Sequence, residues 1–145
     1  MHQIAINADG GDYVRISLFD RSHPECHDYW DGNWLAASVD VQAGSFHGTV
    51  EGDIRADELV GFLEPLRRLQ QTLEGTSQFE TLENWLSIRA TGDGIGHINV
   101  ECEILDQPGI GNKLLCTLKT DQTHIRNTVA ELETAVAAFP VVGHP

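Results

Sequence analysis

The chain has 145 residues, of which 41% are hydrophobic and 21% are charged, as in an ordinary globular protein. Nine Lys and Arg stand against 22 Asp and Glu, which gives a formal net charge of −13. A field of this sign repels the phosphate backbone, so the composition argues against direct binding of nucleic acid. It favours either simple solubility or a basic protein partner. The length predicts a single domain over residues 1–145.

Cysteine usage and the N-terminal sequence indicate the compartment. Cys26, Cys102 and Cys116 are an odd number without the spacing of a disulfide framework. No apolar stretch follows a basic segment at the N-terminus, and no apolar run approaches the ~18 residues of a membrane span. We therefore expect a cytoplasmic protein that does not enter a membrane.

The first half of the chain alternates apolar and polar residues in the manner of β-strands. This alternation predicts strands around Ile4 and Ile6, over Tyr13–Phe19, over Trp34–Val41 and over Ser45–Ile54. The last two flank the turn at Ala43-Gly44 and form a predicted β-hairpin.

A helix is predicted next, because apolar residues recur at helical spacing from Asp57 to Glu74. Gly75 is a suitable C-terminal stop, and Pro65 is expected to kink or break the helix.

The second half predicts three more strands and a second helix. The strands are Trp85–Ala90, a segment with Ile98, Val100, Cys102 and Ile104 on one face, and Leu114–Leu118; the helix begins at Thr120 or Asp121 and stops at Pro140. This order predicts an α+β fold, with an antiparallel β-sheet of about six to eight strands and two α-helices packed on one face. Both halves end in a helix, but no residue pattern repeats between them.

The densest group of possible metal ligands is His23-Pro24-Glu25-Cys26-His27-Asp28. A structural zinc site usually pairs two such groups, and no second group exists at a matching spacing, so a polar surface loop is the preferred interpretation. Cys26 beside two histidines is a poor nucleophile candidate, since neighbouring positions rarely give the required hydrogen-bond geometry. We predict no catalytic residue, no metal site and no cofactor.

Two pairs of carboxylates each share one face of a predicted strand: Glu51 with Asp53, and Glu101 with Glu103. Each pair is spaced by roughly 7 Å along the strand. Glycosidases use similar separations, but any acidic strand produces them, so a solvated sheet face is the simpler interpretation.

The segment Tyr29-Trp30-Asp31-Gly32-Asn33-Trp34 places three aromatic residues around a turn at the start of a strand. One interpretation is that an indole caps the edge of the core. The other is an aromatic contact patch with an acidic rim, since Trp and Tyr are enriched as interface anchors.

Four stretches together resemble a family of small bacterial proteins, the WapI-type immunity proteins. They are D-Y-W-D-G-N-W-L (Asp28–Leu35), T-G-D-G-I-G-H-I (Thr91–Ile98), D-Q-T (Asp121–Thr123) and F-P-V-V-G (Phe139–Gly143). The resemblance implies a non-enzymatic antitoxin that binds a secreted polymorphic toxin inside the producing cell. The best-known toxin of this type is a nuclease that acts on transfer RNA, and its basic surface would suit an acidic inhibitor.

The leading hypothesis is therefore an immunity-like protein that binds a basic toxin domain. Its predicted contact residues are Tyr29, Trp30, Asp31, Trp34, Glu51, Asp53, Glu101 and Glu103. One alternative is an enzyme that uses an acidic face or a metal near His23, Cys26 and His27. Another is a structural module that associates with itself through edge strands. The oligomeric state stays open.

Overall fold

A computed structural model describes all 145 residues as eight strands, a 3₁₀ turn and three α-helices. The first half comprises β1 (His2–Asn7), the 3₁₀ turn (Asp9–Gly11), β2 (Tyr13–Arg21), α1 (Tyr29–Gly32), β3 (Trp34–Ala43), β4 (Phe46–Arg55) and α2 (Ala56–Thr72). The second half comprises β5 (Glu74–Glu80), β6 (Leu86–Asp93), β7 (His97–Leu105), β8 (Lys113–Asp121) and α3 (Gln122–Ala138). No helix is both long enough and apolar enough to cross a membrane.

The strands are all antiparallel, which confirms the predicted α+β class, but they form two sheets where one was predicted. Strands β1–β4 form sheet A and β5–β8 form sheet B, each in chain order. The predicted packing of both helices on one face is not confirmed. Helix α2 packs mainly against β5, α3 packs mainly against β1, and the two helices pack on each other. Alternation could not distinguish these arrangements, because it indicates the apolar face of a strand and not its neighbours.

The two halves repeat one architecture, a four-stranded meander followed by a helix of 17 residues. Counted from the capping residues Arg55 and Asp121, the buried positions of the helices coincide: Leu59 with Ile125, Phe62 with Thr128, Leu63 with Val129, Leu66 with Leu132 and Leu69 with Ala135. Each helix covers the first strand of the other half, so the halves are interlocked. The repeat is therefore a property of the fold, although the residues themselves do not repeat.

The apolar faces of both sheets and both long helices share one core of 32 buried residues. Trp85, just before β6, joins the two sheets, because its indole nitrogen donates to the carbonyl oxygen of Asp53 at 3.0 Å. Its ring covers Gly52, where a Cβ would lie 2.5 Å from a ring carbon. A side chain at position 52 would therefore displace this tryptophan.

Two local features differ from the sequence prediction. Helix α2 continues through Pro65, since buried leucines on both sides of the proline anchor it to the core. Strand β5 was not predicted, because only Ser77 and Phe79 of this strand are buried and the alternation is too short to recognise.

Helix α3 closes the outer edge of sheet A at β1. The hydroxyl of Thr128 donates to the carbonyl oxygen of Ala5 at 2.7 Å, and the Ala5 N–H donates to Glu131 at 3.0 Å. The hydroxyl of Thr120 donates to the carbonyl oxygen of Asn7 at 2.6 Å. These side chains satisfy backbone groups that another strand would otherwise bind.

Candidate partner-binding surface

The helix α1 organises the aromatic residues near the start of β3. The carboxylate of Asp28 precedes the helix and accepts a hydrogen bond from the Asp31 N–H at 3.0 Å, as an N-cap does. The turn leaves Trp30 with 60% of its surface exposed, whereas Tyr29 and Trp34 are partly buried. Trp30 faces solvent, and Trp34 lies beside the guanidinium of Arg55, so neither indole belongs to the core cluster.

Arg55, at the end of β4, holds this turn in place and was not singled out from the sequence. Its guanidinium is buried and donates to the carbonyl oxygens of Trp30 and Tyr29, both at 2.8 Å, and to the carboxylate of Asp57 at 3.0 Å. It also lies 5.0 Å from the ring centres of Tyr29 and Trp34, and 5.7 Å from that of Trp30. The counter-charge, the carbonyls and the aromatic faces together offset the cost of burying this cation.

The C-terminal segment fastens the same turn from its other side. The buried amide of Asn33 donates to the carbonyl oxygen of Val142 and accepts from the Val142 N–H, both at 2.9 Å. Arg21 donates to the carbonyl oxygens of Gly32 at 2.7 Å and Pro140 at 2.6 Å. A Cβ at Gly32 would lie 2.7 Å from the side chain of Val142. Two of the stretches that carry the family resemblance are thus joined in space.

The other two stretches, residues 91–98 and 121–123, are also joined to each other, in the second half of the chain. The carboxylate of Asp93 accepts from the N–H groups of Ile95 at 2.9 Å and His97 at 3.1 Å, and the Gln122 N–H donates to the carbonyl oxygen of Gly96 at 3.0 Å. The Ile95 hydrogen bond, with help from His97, lowers the pKa of Asp93. These contacts build the turn between β6 and β7.

Three of the eight predicted contact residues lie at one end of the outward face of sheet A, and Trp30 of α1 lies beside them. Trp34 pairs with Arg55 across β3 and β4, and Asp53 and Glu51 follow on the same face of β4. Phe19, which the sequence analysis missed, lines a shallow depression of about 380 Å³ with these two carboxylates. We call Phe19, Trp30, Trp34, Glu51 and Asp53 the aromatic–acidic face. Tyr29 and Asp31 belong to the adjoining turn.

Glu101 and Glu103 lie elsewhere, on the outward face of sheet B. They line an open groove of about 500 Å³ together with Arg89, which is opposite Glu101 in the strand register. Glu103 forms an ion pair with Lys113 at 2.9 Å. Basic side chains therefore offset part of the charge on this face, and the four predicted strand carboxylates do not form one acidic surface.

The segment from His23 to Asp28 does not assemble the ligands that the metal hypothesis names. A different group, Cys26, Asp28 and Asp31, has ligand atoms within 4.8 Å of one another, but Asp28 already caps α1 and neither histidine belongs to the group. Partial burial, followed by the charges of Glu25, Asp28 and Asp31, raises the pKa of the Cys26 thiol. A raised thiol pKa opposes both metal binding and nucleophilic attack at this residue.

Cys102 and Cys116 are directly opposite each other on β7 and β8. Cys102 is buried, and Cys116 packs against the same core. The interaction with the Cys116 thiol, followed by burial, raises the pKa of Cys102. Both residues pack as small apolar side chains, as the sequence predicts.

The chain is similar to a known protein family. The model of the Immunity protein WapI-like family matches residues 5–140 of the chain. That range includes the aromatic–acidic face, the two long helices and all of both sheets except the first residues of β1. No curated protein matches the sequence.

Proposed function

Because the chain belongs to the WapI-like immunity protein family, we propose that it is a non-enzymatic protein that binds a secreted toxin and blocks it inside the producing cell. The toxin surface in this proposal is basic, as the surface of a nuclease is where it holds nucleic acid. The net charge of −13 would accelerate the approach of such a partner and disfavour nucleic acid itself.

The exposure of Trp30 is the observation that carries the choice of surface. A large aromatic side chain with 60% of its area in solvent forgoes the burial that such residues usually have. Arg55 donates to the carbonyl oxygens of Tyr29 and Trp30, both at 2.8 Å, so the indole of Trp30 projects from a turn that is held in place. Rigid, exposed tryptophans are common interface hot spots, because little conformational entropy is lost when they are covered.

The charges around Trp30 support a basic partner. Asp31, Glu51 and Asp53 are exposed carboxylates on or beside the aromatic–acidic face. No arginine forms an ion pair with these carboxylates, because Arg21 donates to backbone carbonyls and Arg55 pairs with Asp57. We infer that the face attracts the toxin electrostatically and that Trp30 then supplies short-range affinity.

Blockade in this proposal is steric and electrostatic. A face that covers a basic active-site surface competes directly with the toxin's substrate. It needs no catalytic group.

The test is affinity capture from the organism that produces the protein, with the tagged chain as bait and mass spectrometry of what it retains. We expect a basic toxin domain among the captured proteins. Its Kd should rise about thirtyfold or more for Trp30→Ala, equivalent to roughly 2 kcal/mol. Leu115→Ala is the control, since Leu115 is 67% exposed on the outward face of sheet B.

A matched pair of double variants separates the two acidic faces. Glu51→Gln with Asp53→Asn removes two charges from sheet A, and Glu101→Gln with Glu103→Gln removes two from sheet B. We expect only the sheet A variant to weaken toxin binding and to reduce its dependence on salt. Equal effects of the two variants would reject the aromatic–acidic face. A co-purifying metal or small molecule in place of a protein would reject the immunity function and favour the enzyme alternative.

A further inference from the structure

Strand β4 is the last strand of sheet A, and one of its edges has no neighbouring strand. The hairpin from Ala43 to Phe46 sets which residues bond to β3, and by alternation the backbone groups of His47, Thr49, Glu51 and Asp53 point away from it. The carbonyl oxygen of Asp53 is bound by Trp85 at 3.0 Å. The N–H and C=O groups of His47, Thr49 and Glu51 have no partner in the protein.

Two other sheet edges, at β1 and β8, are protected in different ways. At β1 the side chains of Thr128 and Glu131 in α3 bind the outward backbone groups of Ala5, and Thr120 at the end of β8 binds the carbonyl oxygen of Asn7. Strand β8 carries Lys113 and Lys119, and lysine is a common means of protecting a sheet edge. Between Phe46 and Ile54, strand β4 contains neither a lysine nor a proline.

A groove runs beside this open edge. It has a volume of about 320 Å³ and lies between β4 and the ends of β7 and β8. Its apolar lining comes from Phe46, Val50, Ile104 and Leu114, and Phe46 is 66% exposed. Gly48 also lines the groove, and a Cβ at this position would meet nothing within 4 Å. Glycine within a strand often marks the close approach of another backbone.

We propose that an extended segment of the partner protein adds to β4 as a further strand of sheet A, and that this segment alternates apolar and basic residues. Its backbone pairs with the free groups of His47, Thr49 and Glu51. Successive side chains of a strand point to opposite faces. The apolar ones therefore enter the groove, and the basic ones lie beside Glu51 and Asp53.

Charge distinguishes this occupant from a second copy of the chain. Pairing β4 with β4 of another copy would bring together two molecules that each carry −13 and that each have Glu51 and Asp53 on this strand. A basic segment relieves this repulsion. The proposal rests on the proposed function for the identity of the partner, since Glu51 and Asp53 also belong to the aromatic–acidic face.

The test uses a synthetic peptide of alternating Lys and Val, with a control peptide in which the same residues form one Lys block and one Val block. Hydrogen exchange of the full chain reports on the amides of His47, Thr49 and Glu51. We expect the alternating peptide to slow their exchange and the block peptide to bind about tenfold more weakly or worse.

Two variants block the edge in independent ways. Thr49→Pro removes an outward N–H without removing a bond to β3, and Thr49→Ala at the same position keeps that N–H. Gly48→Lys puts a cationic side chain into the groove, and Gly61→Lys adds the same charge on the exposed face of α2. We expect peptide binding to be lost in Thr49→Pro and Gly48→Lys and kept in the two controls. Gly48→Lys decides the result if Thr49→Pro does not fold.

Unchanged exchange at β4, or equal binding of both peptides, overturns the proposal. So does a dimer in sedimentation whose formation slows exchange at the same amides, because the edge would then belong to a second copy. The proposed function fails separately: capture of a toxin in a Trp30-dependent manner without protection of β4 upholds the immunity role and rejects strand addition. Peptide binding at β4 without any captured toxin upholds strand addition and rejects the immunity role.

Discussion

The guanidinium of Arg55 donates to the carbonyl oxygen of Trp30 at 2.8 Å, and this bond joins the end of a core strand to an exposed aromatic residue. Arg55 is 2% exposed, so bulk solvent does not reach it. The position of Trp30 therefore depends on a buried residue that a binding partner cannot reach.

Arg55→Ala is expected to lower the free energy of unfolding by about 3–5 kcal/mol, because it leaves the carbonyl groups of Tyr29 and Trp30 without a donor and Asp57 without its counter-charge. Arg55→Lys should restore only part of this loss, since a lysine cannot fork to several acceptors. Urea denaturation followed by tryptophan fluorescence measures both. Arg126→Ala, on the exposed face of α3, is the control and should change stability by less than about 0.5 kcal/mol. A loss for Arg55→Ala as small as that of the control would contradict the assigned role.

Asn33 is expected to fasten the C-terminal segment to the α1 turn. Asn33→Ala removes bonds to the carbonyl oxygens of Tyr29 and Val142 and from the Val142 N–H. The buried backbone groups are then unpaired. This should lower the free energy of unfolding by about 2–3 kcal/mol and speed hydrogen exchange at Val142. Asn112→Ala, in the exposed loop before β8, is the comparison. Slow exchange at Val142 in Asn33→Ala would show that another contact holds the segment.

Ser77→Ala is expected to stabilise the protein. Ser77 is 0% exposed, and its hydroxyl is the buried side-chain group that lacks a hydrogen-bond partner. Removing an unpaired buried hydroxyl should raise the free energy of unfolding by about 1 kcal/mol. Ser87→Ala, on the outward face of the adjacent strand, should have little effect in the same urea titration. A destabilised Ser77→Ala would mean that the hydroxyl has a partner in solution.

Because Asp121 caps α3, it is expected to make the free energy of unfolding of the protein depend on pH. Its carboxylate accepts from the His124 N–H at 3.0 Å, and this bond, with the charge of His124, lowers the pKa of Asp121. A lowered pKa contributes stability above the ordinary carboxyl pKa, and that stability is lost as the pH falls through the lowered value, below about 4.

Asp121→Ala should therefore cost about 1 kcal/mol at neutral pH, and its difference from the wild type should shrink in acid. Asp121→Asn, which can still cap the helix, should lose less at neutral pH and show the same narrowing. Thermal denaturation at neutral pH and in acid, below about pH 4, measures the difference in stability between each variant and the wild type. A deficit for Asp121→Ala that stays constant with pH would exclude the ionised carboxylate as its cause.

Much of the local structure could be predicted from particular residues. The alternation of Leu35, Ala37, Val39 and Val41 predicted β3 and its buried face, and the capping preference of Asp121 predicted the start of α3. The proposed contact residues Trp30, Trp34, Glu51 and Asp53 were also chosen from the sequence, and the structure places them around one end of sheet A. Arg55 and Phe19 could not be found in this way, because a single arginine or phenylalanine has no pattern that reveals its neighbours.

The sequence by itself determined the α+β class, the faces that most strands bury and the strongly acidic charge, because periodicity and composition are local properties of the chain. Only the tertiary structure decided that the strands form two interlocked sheets, that Glu101 and Glu103 lie on a different face from Glu51 and Asp53, and that one edge of β4 stays unpaired. These features depend on contacts between residues far apart in the chain, such as Trp85 with Asp53 and Thr128 with Ala5. Such contacts follow from packing around one shared core and leave no pattern in the order of the residues.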